Sequence, residues 1–244
     1  MRNIKLHIEY DGTNYSGWQV QKKLKTIQST IESALRKILQ EKIRLIVSGR
    51  TDTGVHAQDQ VANFSTQSKI PLLKLRSALN SNLPLDITIT KAEEARQDFH
   101  SRFSAKSKVY RYTILNRPYR STFLRDRVYF YPYHLDLGLM QKEARSLLGR
   151  HDFTAFRASG SSSEDAFKTI KRLKVTREKD FIYIDIEADG FLYNMVRNIV
   201  GTLIEVGRGR FPRGSLKKIL LSKNRRFAGQ TAPAKGLCLI KVKY

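Results

Sequence analysis

Apolar and polar residues alternate at the start of the chain, with Ile4, Leu6, Ile8 and Tyr10 set against Lys5, His7 and Glu9, which predicts a strand with one buried face. Ile27, Ile31, Ala34, Leu35 and Ile38 then fall at helical spacing behind Thr26, a residue type suited to cap a helix. Apolar runs predict strands over 43–48 and 60–65, a helix over 71–81 and a strand over 86–93, so the order is β-α-β-β-α-β. The second half repeats it: a strand over 107–115, a helix over 135–148, and strands over 170–177 and 181–188 joined by the turn Glu178-Lys179-Asp180. An i, i+3, i+4 stripe from Leu192 to Ile204 and a closing strand over 237–244 complete the order. The expected fold is α+β: two tandem ferredoxin-like units with largely antiparallel sheets, helices on one face and the other faces open to a large ligand. The repeat is one of architecture and not of sequence. With the joint at 95–106, the expected subdomains are 1–105 and 106–244.

Charge changes this picture from a fold to a fold with a partner. The 244 residues carry 45 Lys+Arg against 22 Asp+Glu, a formal balance of +23, while hydrophobic (41%) and charged (27%) fractions are those of a folded domain and not of a basic tail. The excess is uneven: residues 1–105 hold 16 basic and 10 acidic side chains (+6), and 106–244 hold 29 and 12 (+17). Within 101–130, eight Lys/Arg face one acid and interleave with Phe103, Tyr110, Tyr112, Tyr119, Phe123 and Tyr129; within 208–226, eight Lys/Arg face none. Such runs replace phosphate counterions and the aromatics offer faces to unstacked bases, so the expected polyanion is a nucleic acid.

Other classes are disfavoured. No run approaches the roughly 18 apolar residues of a membrane helix, and the first residues read as a strand and not as a signal-peptide core, so a soluble, cytoplasmic protein with no membrane partner is expected. The single Cys238 excludes an internal disulfide and a multi-cysteine zinc cluster; between Leu237 and Leu239 it reads as a core thiol. The five histidines show no metal-ligand spacing, and no metal is expected. The small, polar segment 157–168 reads as a mobile loop, either a plain connection or one that closes over substrate.

Chemistry concentrates in Ser48-Gly-Arg-Thr-Asp-Thr-Gly-Val-His-Ala57, between the apolar runs Leu45-Ile46-Val47 and Val61-Ala62-Asn63-Phe64. A strand running into a loop with two glycines, an Arg, an Asp and a His presents polar side chains at a sheet rim. From the residues alone Asp52 has three readings: an Asx turn, a partner of Arg50, or a catalytic carboxylate. A phosphate loop is excluded because GxxxxGK[ST] is absent. A non-catalytic RNA-binding protein would explain the charge but not the loop, and a nuclease using Asp52, Asp59 and His56 around a metal would need further carboxylates.

The loop, together with Tyr10-Asp-Gly-Thr-Asn-Tyr-Ser-Gly-Trp18, Ser107-Lys-Val-Tyr-Arg-Tyr112, Gly190-Phe-Leu-Tyr-Asn-Met-Val-Arg-Asn-Ile-Val-Gly201 and Thr231-Ala-Pro-Ala-Lys-Gly-Leu237, resembles the pseudouridine synthase A family of tRNA-modifying enzymes in order and spacing along the whole chain. Thr53 stands where that family often has Ala. The resemblance implies an isomerase that converts uridine to pseudouridine in the anticodon stem-loop of tRNA, as a homodimer, without cofactor or metal. It implies that Asp52 is the essential aspartate, acting as a nucleophile or as the base that removes a ribose proton, two roles the residues do not separate. Tyr110 is implied to stack on the target uracil, and Arg197 to be the basic residue that reaches Asp52. Arg50 could hold Asp52 ionised, fill the space of the extruded base or bind a phosphate, and Leu237 could line the uracil pocket or simply pack in a core strand.

Overall fold

The computed structural model describes residues 1–160 and 165–244 and divides into two compact units, 1–106 with 238–244, and 107–237. Residues 161–164, the centre of the segment read as a mobile loop, lie outside the described residues.

The first unit runs β1 (Arg2–Tyr10), α1 (Ile27–Leu39), β2 (Ile46–Val47), β3 (His56–Thr66), α2 (Leu72–Asn82) and β4 (Ile87–Ala95). Strand β1 lies between β4 and β3, antiparallel to both, and β2 pairs antiparallel with β3. This is the split β-α-β arrangement that the alternation predicted. Ile4, Leu6 and Ile8 are fully buried on one side with Ile27, Ile31 and Leu35 of α1, each such side chain contributing roughly 2 kcal/mol of transfer free energy. Thr26 caps α1 as expected: its hydroxyl accepts from the Ser29 amide, and the Ser29 hydroxyl accepts from the Thr26 amide. The strand read over 43–48 shrinks to Ile46–Val47, because the backbone turns away into the polar loop at Ser48.

The last strand, β10 (Leu237–Lys243), departs from the division at 105/106. From Cys238 onward it belongs to the first unit, where Cys238 and Leu239 pair in parallel with His56 and Ala57. The Lys106 amide donates to the Lys243 carbonyl, and the Tyr244 hydroxyl donates to the Ser101 carbonyl. Strand pairing between residues so far apart leaves no local signature. Cys238 is half-buried and not fully buried as its leucine neighbours suggested, since it falls on the opposite side of the pleat from Leu237 and Leu239.

The second unit contains β5 (Ser107–Leu115), β6 (Tyr129–Phe130), α3 (Leu137–Ala144), β7 (Gly149–Asp152), β8 (Phe167–Glu178), β9 (Phe181–Ala188), α4 (Met195–Gly207) and α5 (Ser215–Ser222). Its strands lie in the order β5-β9-β8-β7 through antiparallel pairs, with β6 parallel to β5. Helix α3 stops at Ala144, short of the 148 expected. A single tighter turn follows, and Gly149, at φ +95°, redirects the chain into edge strand β7. Asn194, at φ +57°, delays the start of α4 to Met195. Helix α5 was not expected: its apolar residues Leu216, Ile219 and Leu220 are buried on one side, and the buried Glu143 carboxylate accepts from the Gly214 and Leu216 amides at its start. Among the described residues no helix is long and apolar enough to cross a membrane.

Candidate active site and RNA-binding surface

In the first unit, the loop between β2 and β3 is anchored residue by residue. The Ser48 amide donates to the Val61 carbonyl, and its hydroxyl donates to Gln60 Oε1 at 2.7 Å. Gln60, fully buried, donates through Nε2 to the Gly49 carbonyl at 2.9 Å. Thr51 is held on both sides, its hydroxyl 2.7 Å from the Tyr10 hydroxyl and its carbonyl accepting from the Trp18 amide at 3.0 Å. The Asp52 carbonyl then accepts from the Val55 amide, closing a turn with Gly54 at φ +77°. With Ser48 and Thr51 buried, Arg50 and Thr53 are exposed and Asp52 is half-exposed. A neutral, buried floor thus holds up a rim of functional side chains. Burial pushes the Tyr10 phenol far above its ordinary pKa, so that floor does not ionise.

The segment Asp11–Trp18 runs beneath this loop, and its glycines have a steric cause. A Cβ on Gly12 would stand 2.1 Å from the Val55 carbonyl oxygen; one on Gly17, at φ +81°, would stand 2.7 Å from that of Thr51. The Gly12 amide donates to His56 Nδ1 at 3.1 Å, so His56 serves the loop's framework. Asp59, the second carboxylate of the nuclease alternative, bonds instead to Nδ1 of His7 at 2.6 Å. Among the described residues no group of three or more His, Cys, Asp or Glu is placed to hold a metal ion.

The second unit carries the other residues singled out by sequence. Tyr110 lies on β5 opposite Ile186 of β9, buried, with Phe191 edge-on at 5.1 Å between ring centroids. Tyr112, fully buried on the same side, donates its hydroxyl to the Pro233 carbonyl at 2.8 Å. Arg197 occupies the first turn of α4. It does not simply extend into water, because Nε donates to the Ala232 carbonyl at 2.7 Å and Nη1 to Asn194 Oδ1 at 2.8 Å. Leu237 is buried where β10 begins.

In each basic window three of the eight cations are paired with carboxylates among the described residues. In 101–130, Arg111 pairs with Asp185, Arg117 with Asp180 and Arg125 with Asp126. In 208–226, Arg208 and Arg210 share Glu205, Lys223 pairs with Asp152, and Arg225 turns inward. Arg213, Lys217, Lys218 and Arg226 are exposed and form no ion pair among the described residues, and the exposed Phe227 ring directly follows Arg226 in sequence. Sequence reasoning missed Gln60 and Thr51 under the loop, and Asn198 and Arg225 beside Arg197. A glutamine inside the apolar run of β3 and an asparagine inside the apolar stripe of α4 were the available signals.

The described residues thus combine an α+β fold, a half-exposed carboxylate on an anchored loop and a set of exposed cations without ion-pair partners among the described residues. Residues 6–104 and 144–244 match the family described as tRNA pseudouridine synthase, and the chain belongs to that family. It is 51% identical over 244 residues to a tRNA pseudouridine synthase A of Acetivibrio thermocellus, 50% to one of a Thermoanaerobacter species and 47% to one of Clostridium acetobutylicum, with 100% of each chain covered.

Proposed function

We propose that the protein isomerises uridine to pseudouridine in the anticodon stem-loop of tRNA, with Asp52 as the essential carboxylate, without cofactor or metal, as a cytoplasmic homodimer. The observation that carries this reading is the anchoring of the 48–55 loop, which commits Ser48 and Thr51 to the interior, ties the Gly49 carbonyl to Gln60 and leaves Asp52 at the rim. The bond between ribose C1′ and uracil N1 breaks, the base turns, and a bond from C1′ to C5 forms while the C5 proton departs and N1 takes up a proton. Atoms and electrons balance without a redox partner or a second substrate. One carboxylate suffices, either attacking the nucleoside or removing the ribose 2′ proton. Deuterium at C2′ separates these: a primary isotope effect marks the base, its absence the nucleophile.

The target base has to leave its stack at a cost of roughly a few kcal/mol. Tyr110 is assigned to return roughly 1–3 kcal/mol of that by stacking, which requires its buried ring face to become accessible. Arg50 is assigned to phosphate or to the space the base vacates, Arg197 to the charge that develops on the reacting nucleotide, and Leu237 to the wall of the uracil pocket.

Tritium release from tRNA labelled at uridine C5 tests the reaction. Release should proceed unchanged in EDTA; loss with EDTA would point to a metal enzyme, and no release at all to a binding protein. Sedimentation equilibrium checks the dimer.

The exposed cations of 208–226 are assigned to tRNA phosphates. Lys217→Glu with Lys218→Glu should weaken tRNA binding and flatten the slope of log K against log salt by about 1.5 to 2. The release rate at saturating tRNA should stay within about twofold, since rim charges act on association and not on the chemical step. An unchanged slope would mark this run as solvated surface.

A further inference from the structure

Residues 229–232 lie against α4 between Arg197 and Thr202. The Gly229 amide donates to the Thr202 hydroxyl at 3.0 Å, and a Cβ on Gly201 would stand 1.7 Å from the Gln230 carbonyl oxygen. The Ala232 amide donates to the Arg197 carbonyl at 3.1 Å, while the Ala232 carbonyl accepts from Arg197 Nε. The position of the Arg197 guanidinium therefore depends on where this stretch of backbone is held.

A small polar cluster holds it. Asn198 is fully buried; its Nδ2 donates to the Phe156 carbonyl at 2.7 Å, which fixes the amide so that Oδ1 faces Thr231 and Arg225. That oxygen accepts from the Thr231 hydroxyl at 2.7 Å and from Arg225 Nη2 at 2.9 Å. Arg225 Nη2 also lies 3.1 Å from Thr231 Oγ1, and Nη1 reaches the Ala228 carbonyl. Burial lowers the Arg225 pKa from its ordinary value. Among the described residues every acceptor around this half-buried cation is neutral, an arrangement that costs more than an apolar side chain of similar size. A cluster that stabilised the fold alone could do without the charge. What the guanidinium adds is a rigid fork reaching Asn198, Thr231 and Ala228 at once.

We infer that Asn198, Arg225 and Thr231 are positioning residues for Arg197: they fix the backbone at Ala232 so that the Arg197 guanidinium is held ready for the reacting nucleotide. The proposal rests on the role assigned to Arg197 above.

The test uses the full chain with Thr231→Val, which removes the hydroxyl at constant shape, Thr231→Ser, which restores it, and Arg225→Lys, which keeps the charge but not the fork. Three quantities are read: the single-turnover rate at saturating tRNA, the tRNA dissociation constant, and the solvent exchange of the Arg197 Nε–H followed by nitrogen-15 NMR. Thr231→Val is expected to slow turnover roughly tenfold or more through misplacement of one group, with affinity within about twofold and Nε–H exchange accelerated. Thr231→Ser should recover both rate and exchange, and Arg225→Lys should fall between. Unchanged exchange in both Thr231→Val and Arg225→Lys would overturn the inference, as would a rate that falls only in step with the folded fraction in thermal unfolding. Faster exchange with an unchanged rate would sink the role assigned to Arg197 while leaving the contact to Ala232 standing. Wild-type protein without tritium release would sink the proposed function itself.

Discussion

Asp52→Asn should abolish tritium release from C5-labelled tRNA, by at least about 10⁴-fold in single turnover, while tRNA affinity changes little. Asparagine has nearly the shape of aspartate but offers neither an anionic nucleophile nor a base. The loop should survive the change, because its anchors run through Ser48, Gly49, Thr51 and the backbone carbonyl at position 52. Affinity is assigned under the proposed function to cations such as Lys217 and Lys218, which lie in the other unit. Filter binding and single-turnover release measured on the same preparation separate the two effects. Release that persists in Asp52→Asn would remove Asp52 from the chemistry; a parallel loss of binding would make it a binding residue.

The second large effect is steric. Gly12→Ala places a methyl group 2.1 Å from the Val55 carbonyl oxygen, a contact that backbone alone can relieve. Overpacking of this kind costs about 3 kcal/mol. In a chain of this length that corresponds to a fall of roughly 6 to 12 °C in the unfolding midpoint. Because Val55 closes the turn that begins at Asp52, the release rate should fall as well, even at temperatures where the variant is fully folded. Gly138→Ala on α3 is the matched control: its nearest neighbour is Asp136 Oδ1 at 3.4 Å, and an alanine inside a helix is favoured. Circular dichroism melts of both variants decide the matter. A Gly12→Ala midpoint as high as that of the control would show that the segment Asp11–Trp18 can move away from the loop at no cost.

Local patterns in the sequence were enough for much of this fold. Alternation along β1, the Thr26 cap with the stripe behind it, and the Glu178-Lys179-Asp180 turn each specify their element through neighbours a few residues away. Helix α5 escaped because it is short and two lysines separate Leu216 from Ile219 and Leu220, so its buried apolar face does not complete two turns. The placement of β10 escaped because its partners His56 and Ala57 lie far back in the chain. The rim was legible for a related reason: a loop that turns polar at once after an apolar strand must either bury its polar groups in pairs or present them. Here Ser48 and Thr51 do the first, and Asp52 is left half-exposed. What could not be read was which buried partners perform the anchoring. Gln60 and Asn198 sit within apolar periodicity, where one polar residue looks like an interruption until its hydrogen bonds are seen. Arg225 was grouped with its basic neighbours because sequence reports charge and not direction.

The pairing of Cys238 and Leu239 with His56 and Ala57 also orders events during synthesis. A ribosome delivers β1, the Asp52 loop and β3 early, then all of 107–237, and only afterwards the strand that occupies the edge of β3 where the loop ends. Until that strand emerges, the backbone groups at His56 and Ala57 that it will engage lack their partner, and the rim beneath Asp52 is unfinished. On the roles proposed for the two units, a nascent chain with its basic surface already folded would hold RNA before it could act on it, and the unit that carries Asp52 would mature last although it is translated first.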